Sequence, residues 1–219
     1  MTAISGNSND HGPDRVTRLA SARPVEIVSQ PTGQEGTDAD DELIARIGGG
    51  DAQAWQPLVD RHLARLVGFA WHILGDRSEA EDVAQEVLIR LMRKAPEWQP
   101  GGAKVRSWLY RVAVNLCIDR KRKMRPLQLD ENAPIADPTA GDREIDRRMD
   151  IERAVRRALD ELPERQRIAL VLVHYHGFSN PETAQMMEAS VEAVESMLAR
   201  GRRTLRANLK ALAGELLGA

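Results

Sequence analysis

This sequence has little of several features that would each point to a different class of protein. Its single cysteine, Cys117, excludes an internal disulfide and any metal site built from several cysteines. Aromatic residues make up only 4% of the chain, whereas alanine, leucine, valine, glutamate and arginine are abundant. No apolar run approaches the ~20 residues that a membrane-spanning helix needs. The composition therefore predicts an all-α protein without membrane insertion.

The chain also lacks an excess of charge of one sign, because its formal net charge is −2. A nucleic acid would have to be held by local positive patches, or with help from another protein that supplies more charge. The first residues do not show the basic and then apolar order of a signal peptide, so we expect a cytoplasmic location. A length of 219 residues predicts one or two small domains, at ~100–200 residues per domain.

Two stretches without a helical or alternating period divide the chain. Residues 1–38 are rich in serine, glycine, proline and asparagine and are predicted to be disordered. Residues 126–142 contain three prolines and several carboxylates, which is typical of a flexible linker. Apolar residues recur with helical spacing in 39–125 and in 143–219. The sequence therefore predicts two small helical domains joined by a linker.

Start signals mark the helices of the first domain. Asp51 is a good N-cap for a very apolar helix that ends at Gly75, and Pro57 predicts a kink or a late start. Ser78 and Glu81 have the spacing of a capping box, which would begin the next helix. Its predicted buried stripe consists of Ala80, Val83, Ala84, Val87, Leu88 and Leu91.

The opposite side of that helix carries an exposed row with an apolar residue in its middle. Such a row is more often a solvated face than a protein interface, and the residues alone leave both interpretations open. The members of the row are Asp82, Gln85, Glu86, Ile89 and Arg93.

The stretch from Lys104 to Arg125 combines an apolar stripe and a row of cations on one predicted helix. The stripe predicts a buried side, and Cys117 beside it is predicted to lie in the core or at its edge. The cationic side suits phosphate contacts, with an amide for a base edge; alternatively, it is a solvated face that only keeps the protein soluble. The stripe comprises Trp108, Leu109, Val112, Ala113 and Leu116, and the other side carries Lys104, Ser107, Arg111, Asn115 and the cluster Arg120, Lys121, Arg122 and Lys123.

A tryptophan precedes this helix in a loop of prolines and glycines. Trp98 would pack back on the core, or it would meet an unstacked base, because every base offers a π-face.

The second domain ends in a helix-turn-helix pattern. After a buried helix that Pro163 opens, Ser179 and Glu182 form a capping box, Glu188 lies at a tight corner, and Ser190 caps a long helix. The alternative is a structural hairpin with a solvated basic end. Residues Val191, Val194, Leu198, Leu205 and Leu209 are predicted to face the core, and Glu192, Ala193, Glu195, Ser196, Arg200, Arg202, Arg203 and Arg206 to project outward.

Catalytic signals are missing from the sequence. It contains no phosphate-cradling glycine-rich loop, no nucleophile with a readable base and no metal-ligand cluster. The neighbouring His174 and His176 lack a readable third ligand, so we expect no metal site there. We predict a protein that is not an enzyme and needs no cofactor.

Four motifs in their order resemble the extracytoplasmic-function group of bacterial sigma factors, in the sigma-70 family. Each is moderately specific, and the resemblance extends from about Asp40 to Leu209. The motifs are Gly75-Asp76 with 81–87, then 107–115, then 162–167, and finally 190–203.

This resemblance implies two domains, region 2 and region 4, which bind the clamp and flap regions of core RNA polymerase and read the −10 and −35 promoter elements. It also implies a sequestering anti-sigma partner and a linker that runs toward the RNA exit path. By resemblance, the residues that dock on the polymerase are Asp82, Gln85, Glu86 and Ile89. Those that contact the −10 element, with Trp98 near a flipped base, are Trp98, Lys104, Arg111, Asn115, Arg120, Lys121 and Arg122. Those that contact the −35 element are Ser190, Glu192, Ala193, Glu195, Ser196, Arg200 and Arg203.

The helix-turn-helix departs from the family pattern at three positions. The corner usually holds a glycine where Glu188 stands, and basic residues are common where Glu195 and Met197 stand. Glu195 can accept a hydrogen bond from cytosine, or it can pair with Arg202, since Ala199 occupies the position one turn on.

The leading hypothesis is a promoter-specificity subunit of RNA polymerase. The alternative is a stand-alone helix-turn-helix regulator whose first domain senses a ligand or dimerises, and a third class is an interaction protein independent of polymerase. The basic helix in the first domain discriminates, because a sensory domain would not need it.

Overall fold

The computed structural model describes residues 35–99, 101–102, 104–124 and 154–217. The predicted linker 126–142 and most of the predicted extension 1–38 lie outside these residues. Helices and turns account for the described residues, with no strand among them, so the all-α prediction is confirmed. The helices are α1 (Glu35–Gly48), α2 (Trp55–Leu74), α3 (Arg77–Lys94), α4 (Val105–Met124), α5 (154–160), α6 (Glu164–Leu170), α7 (Asn180–Met186) and α8 (Val191–Leu217).

Helices α1 to α4 form an N-terminal unit around α2. Asp51 accepts a hydrogen bond from the Gln53 amide and caps a short 3-10 turn, Ala52–Ala54, from which α2 continues. The α-helix begins only at Trp55, with Pro57 in its first turn, which confirms the late start. Gly75 then ends α2 with a φ of 80°, in the left-handed region that glycine enters without strain. Helix α1 starts at Glu35, inside the segment predicted to be disordered.

The predicted capping box at the start of α3 is wrong. Asp76 caps the helix by accepting from the Glu79 amide at 2.9 Å, so Ser78 lies inside the first turn. Glu81 instead pairs with Arg77 one turn earlier. Asp is as good an N-cap as Ser, and it comes two positions earlier in the chain. The predicted buried stripe of α3 is confirmed at all six positions.

Helix α4 buries a different side from the one its apolar pattern predicts. Leu109 and Ala113 are buried as expected, but Trp108, Val112 and Leu116 remain partly exposed. The buried set is rotated by about one residue, because α4 packs on α2 and α3 along one side and on α7 along another. It consists of Val105, Leu109, Tyr110, Ala113, Val114 and Cys117.

Helices α5 to α8 form a C-terminal unit. Pro163 precedes α6, which continues as a π-helical segment, Val171–Tyr175, and this buried run ends at Gly177 with a φ of 67°. Helix α8 crosses α6 closely at Gly201, where a Cβ atom would lie 2.8 Å from the Leu170 side chain. The capping box of Ser179 and Glu182 at the start of α7 is confirmed.

The two units share one continuous core. Arg167 is buried and donates to the Ile73 carbonyl at the end of α2, 3.0 Å away, and to the Asp160 carboxylate, 2.8 Å away. The guanidinium of Arg156 lies 3.4 Å from the centre of the Trp71 ring. Among the described residues, no helix is long and apolar enough to cross a membrane.

Candidate nucleic-acid and protein interfaces

The row opposite the buried stripe of α3 faces outward. Asp82 and Gln85 are exposed, and Glu86 and Ile89 are partly exposed. Glu86 pairs with Arg90 one turn on, at 2.7 Å, an arrangement that contributes little energy at a solvated surface. Ile89 gives the row an apolar centre within an acidic rim, which is the arrangement of a small protein interface. We call Asp82, Gln85, Glu86 and Ile89 the acidic row.

The cations of α4 lie on the next surface, and two of them are held by other elements. Arg120 donates to Glu79 and lies 3.8 Å from Asp82, so it joins the acidic row to the basic helix. The hydrogen bond to Glu79 raises the pKa of Arg120 above its usual value. Lys121 is partly buried beside the Leu74 carbonyl, and this burial lowers the pKa of its ammonium group.

Four further predicted −10 residues are exposed: Lys104, which immediately precedes α4, and Arg111, Asn115 and Arg122 on α4. Arg122 pairs with Asp119 within its own helix, at 3.2 Å. Arg111 pairs with Glu188 of the C-terminal unit, at 2.9 Å. These four residues are the exposed basic face of α4. Its two arginines are therefore both neutralised by carboxylates in this conformation.

Trp98 packs against the core rather than standing free in solvent. Its ring lies 6.0 Å from the ring of Trp108, with the two planes close to perpendicular. The residue remains partly exposed just before α4. This placement matches the packing alternative and leaves a limited surface for a base.

The C-terminal unit contains the predicted helix-turn-helix, made by α7, a short turn and α8. The Ser190 hydroxyl accepts from the Ala193 amide at 3.1 Å, which confirms it as the cap of α8. The helix then runs to Leu217, beyond the predicted end near residue 212. Of the predicted −35 residues, Ala193 is partly buried and six are exposed, namely Ser190, Glu192, Glu195, Ser196, Arg200 and Arg203.

Met197 and Glu195, the two positions of α8 where the family often has basic residues, lie in different environments. Met197 retains only 8% exposure and packs in the core, so it is not available to a base. Glu195 is exposed and forms no ion pair with Arg202 or any other described residue. Its carboxylate is therefore free in this conformation to accept from a base edge.

Glu188 occupies the turn with a φ of 49°, in the left-handed region. It is the one non-glycine residue with a positive φ in the described part of the chain. This conformation costs roughly 1–2 kcal/mol for a residue with a side chain. The position where the family usually has a glycine thus requires a glycine-like backbone, but here it carries a carboxylate.

The contact between the two units was not predicted from sequence. The Tyr110 hydroxyl and His176 Nδ1 lie 2.7 Å apart, and the His176 ring packs edge-on against Phe69 at 5.6 Å. Burial lowers the pKa of His176 to about 3 and raises that of Tyr110, so both groups are neutral near pH 7. The only sequence signal was the pair of histidines considered for a metal. Within the described ranges, no group of three or more potential metal-binding side chains occurs.

A second missed group ties α1 to α2. Asp40 and His62 are buried and bonded at 2.9 Å, and Arg61 also donates to Asp40. Desolvation opposes ionisation of Asp40, but His62 and Arg61 outweigh it and lower its pKa. This group fixes α1 on the core, and none of its three residues was among the predicted interface residues.

Family models match both units. A model described as sigma-70 region 2 matches residues 58–126, and one described as sigma-70, region 4 matches residues 152–205. The chain is 30% identical over 188 residues to the ECF RNA polymerase sigma factor SigE of Mycolicibacterium smegmatis, covering 83% of this chain and 69% of that protein. It is 34% identical over 170 residues to SigM of Mycobacterium tuberculosis, covering 76% and 83%.

Solved structures with the same fold are similar along most of the chain. CnrH, in complex with the cytosolic domain of CnrY, has a TM-score of 0.61 at 29% identity, with 80% of this chain and 99% of that chain covered. The sigma factor RpoE of Bartonella quintana, in complex with the anti-sigma factor NepR, has a TM-score of 0.58 at 23% identity, with 73% and 98% covered. The second likeness concerns the fold alone.

Proposed function

The chain belongs to the extracytoplasmic-function group of bacterial sigma-70 factors, and on this basis we propose that it directs core RNA polymerase to its promoters through three surfaces. The acidic row on α3 docks on the polymerase clamp. The exposed basic face of α4 contacts the −10 element, and the start of α8 enters the major groove at the −35 element. The single observation that carries this proposal is the presence of both family regions in one chain, each with an outward-facing candidate surface.

The chemistry of the α8 surface suits DNA. Arg200 and Arg203 are exposed one turn apart and suit phosphates, while Glu195 and Ser196 near the helix start can reach base edges. Phosphate contacts position the helix, and the few polar groups at its start supply sequence preference.

The exposed basic face of α4 has the composition for a similar role. Lys104, Arg111 and Arg122 supply cations and Asn115 supplies an amide. Trp98 lies at the mouth of this helix and is partly exposed, so its ring is a candidate to stack on an extruded base. We assign Arg120 and Lys121 a mainly structural role, since contacts to α3 and α2 hold them.

The family assignment disfavours a stand-alone regulator with a sensory first domain, because residues 58–126 match a polymerase-associated region instead. The chain acts as an initiation factor and leaves RNA synthesis to the polymerase, in the cytoplasm. We also expect a sequestering protein partner for this chain, in line with CnrH, which was solved in complex with the cytosolic domain of CnrY.

Run-off transcription with purified core polymerase tests the proposal. We expect the chain to start transcripts from a subset of promoter fragments drawn from its own genome. Asp82→Arg with Glu86→Arg should reduce binding to core polymerase at least tenfold, because each change places a cation where the partner expects an anion.

Glu81→Arg is the matched control, since it reverses an exposed carboxylate on the same helix outside the acidic row. Equal loss of binding in the control would show a general charge effect rather than a docking surface. No transcript from any fragment would contradict the proposed function itself.

A further inference from the structure

A single large apolar side chain is exposed among the described residues, and it adjoins the acidic row. Met92, near the end of α3, retains 47% of its accessible surface. It follows Ile89 by three positions and Gln85 by seven, so the three side chains lie on one side of the helix. The apolar centre of the acidic row therefore extends from Ile89 to Met92.

The backbone beneath Met92 is fixed although its side chain is not part of the hydrophobic core. Leu91 and Ala95 are buried on the inner side, at 0% and 3% exposure. Pro96, four positions after Met92, is exposed in the 3-10 turn that follows α3. The thioether of Met92 thus occupies a well-defined outward position, and a polar change there leaves the core of the unit intact.

The other methionines in the described ranges are less accessible or lie elsewhere. Met186, Met187 and Met197 are buried in the C-terminal unit. Met124 is partly exposed, but it lies at the end of α4, outside the acidic row. Because a dissolved oxidant must reach the sulfur atom, Met92 is the described methionine that should react first.

We propose that Met92 is a reversible oxidation site, at which conversion of the thioether to the sulfoxide by a hydroperoxide weakens docking on core RNA polymerase. The inference rests on the proposed function, which assigns the acidic row to the polymerase. It adds a chemical modification that would control how much of the chain can dock.

The reaction needs a hydroperoxide and no other co-reactant. The sulfur atom attacks the hydroxyl oxygen of the hydroperoxide, so an S–O bond forms as the O–O bond breaks. The proton of that hydroxyl goes to the departing oxygen, which leaves as water or an alcohol. Sulfur is oxidised by two electrons and the peroxide is reduced by two. Methionine sulfoxide reductases reverse the change, with a dithiol as the reductant.

The sulfoxide converts an apolar part of the docking surface into a polar one. A thioether is flexible and fills irregular apolar gaps, which suits contact with another protein. The sulfoxide oxygen is a hydrogen-bond acceptor that loses its water when the surface is covered. The ionised carboxylates of Asp82 and Glu86 are acceptors too and offer it no proton. We expect the affinity for polymerase to fall about 10-fold.

Docking and oxidation should exclude each other, because the polymerase would cover the sulfur atom that the oxidant must reach. Oxidation therefore acts on the free chain, and a chain already bound is protected. This protection is a second readout of the same site, and it does not depend on measuring an affinity.

Treatment of the full chain with increasing hydrogen peroxide tests the site. Mass spectrometry of peptides assigns each added oxygen to a methionine, and fluorescence anisotropy measures the affinity for core polymerase. We expect Met92 to be oxidised before Met124, the affinity to fall about 10-fold, and methionine sulfoxide reductase to restore it. Met92 should be oxidised more slowly in the complex with core polymerase than in the free chain.

Two variants at this position separate the sulfur chemistry from the shape of the side chain. Met92→Leu keeps an apolar side chain of similar volume, so it should bind like the wild type and lose the sensitivity to peroxide. Met92→Gln places a polar group there and should bind about 10-fold more weakly before any oxidant is added. Met124→Leu is the matched control and should remain as sensitive as the wild type.

A loss of affinity that persists in Met92→Leu would overturn the site, since another residue would then carry the effect. So would an unchanged affinity in a chain whose Met92 is fully oxidised. Failure of the untreated wild-type chain to bind core polymerase would contradict the proposed function instead, and this result is read before any oxidant is added.

Discussion

The two candidate DNA surfaces, one in each unit, hold their arginines in opposite ways. In the N-terminal unit, Arg120 is bonded to Glu79, Arg122 to Asp119 and Arg111 to Glu188. In the C-terminal unit, Arg200 and Arg203 on α8 form no ion pair with another described residue.

This difference shows that a count of cations does not measure affinity for phosphate. A cation already paired with a carboxylate must exchange one anion for another, so it gains less from DNA than a solvated cation does. Arg200 and Arg203 are therefore free to contact phosphate in this conformation, whereas Arg111 and Arg122 must first leave their carboxylates.

The largest expected effect comes from α8. Arg200→Ala with Arg203→Ala should lower the affinity of the chain for a generic DNA duplex up to about 60-fold at 0.1 M salt and reduce the salt slope by about 2, since each lost phosphate contact contributes ~0.9 to that slope. Fluorescence anisotropy across a salt series measures both quantities.

The matched pair on α4, Arg111→Ala with Arg122→Ala, should cost less than about 8-fold in the same titration. Equal losses for the two pairs would remove the contrast between the units. An unchanged slope for the α8 pair would show that those arginines do not touch phosphate.

Lowering the pH should next weaken the buried contact between Tyr110 and His176, which joins the two units. The pKa of His176 in the fold is about 3, against ~6.5 in the unfolded chain, because burial disfavours its cation. Above pH 6.5 the ring is neutral in both states and the stability is complete. Below pH 6.5 only the unfolded chain takes up the proton, so the free energy of unfolding falls by ~1.4 kcal/mol per pH unit, about 2 kcal/mol between pH 6.5 and 5.

Urea unfolding of the wild type and of His176→Gln at pH 7.5, 6.5 and 5 measures this loss. Charges facing the ring include His72 and Arg106, and they are present in both proteins. The variant should lose about 2 kcal/mol less over the same range. Parallel decreases in the two proteins would exclude His176 as the cause.

Releasing Arg120 from its carboxylate tests the same comparison in the N-terminal unit. Glu79→Gln removes the carboxylate that holds Arg120, so the arginine becomes available to phosphate. We expect DNA affinity to rise by up to about 8-fold at 0.1 M salt, with a salt slope steeper by ~0.9. Glu81→Gln, which releases Arg77 on the outside of α3, is the control and should change neither quantity as much.

The smallest effect is expected at the N-cap of α3, the helix that carries the acidic row. Asp76→Ala should lower the free energy of unfolding by about 1 kcal/mol, because the Glu79 amide loses its acceptor. Ser78→Ala should have almost no effect, since its hydroxyl is not the cap. Thermal unfolding of the two variants measures these losses. A larger loss of stability for Ser78→Ala than for Asp76→Ala would support the predicted capping box instead.

These cases indicate where reading the sequence succeeds. The stripe of α3, the caps at Asp51, Ser179 and Ser190, and the helix-turn-helix depend on residues within about four positions of each other, and all were predicted. The outward direction of the acidic row followed from the same periodicity. The cap of α3 was assigned two residues too late because two good candidates, Asp76 and Ser78, lie within one turn.

The sequence by itself determined the helices, their order and the outward direction of the acidic row on α3 and of the basic residues on α8, because helical periodicity and capping are local. Only the tertiary structure decided which side of α4 is buried, which arginines are neutralised, and that Tyr110 meets His176 across 66 positions. The physical reason is that burial and ion pairing depend on which distant helix packs alongside, and spacing within one helix carries no information about that neighbour.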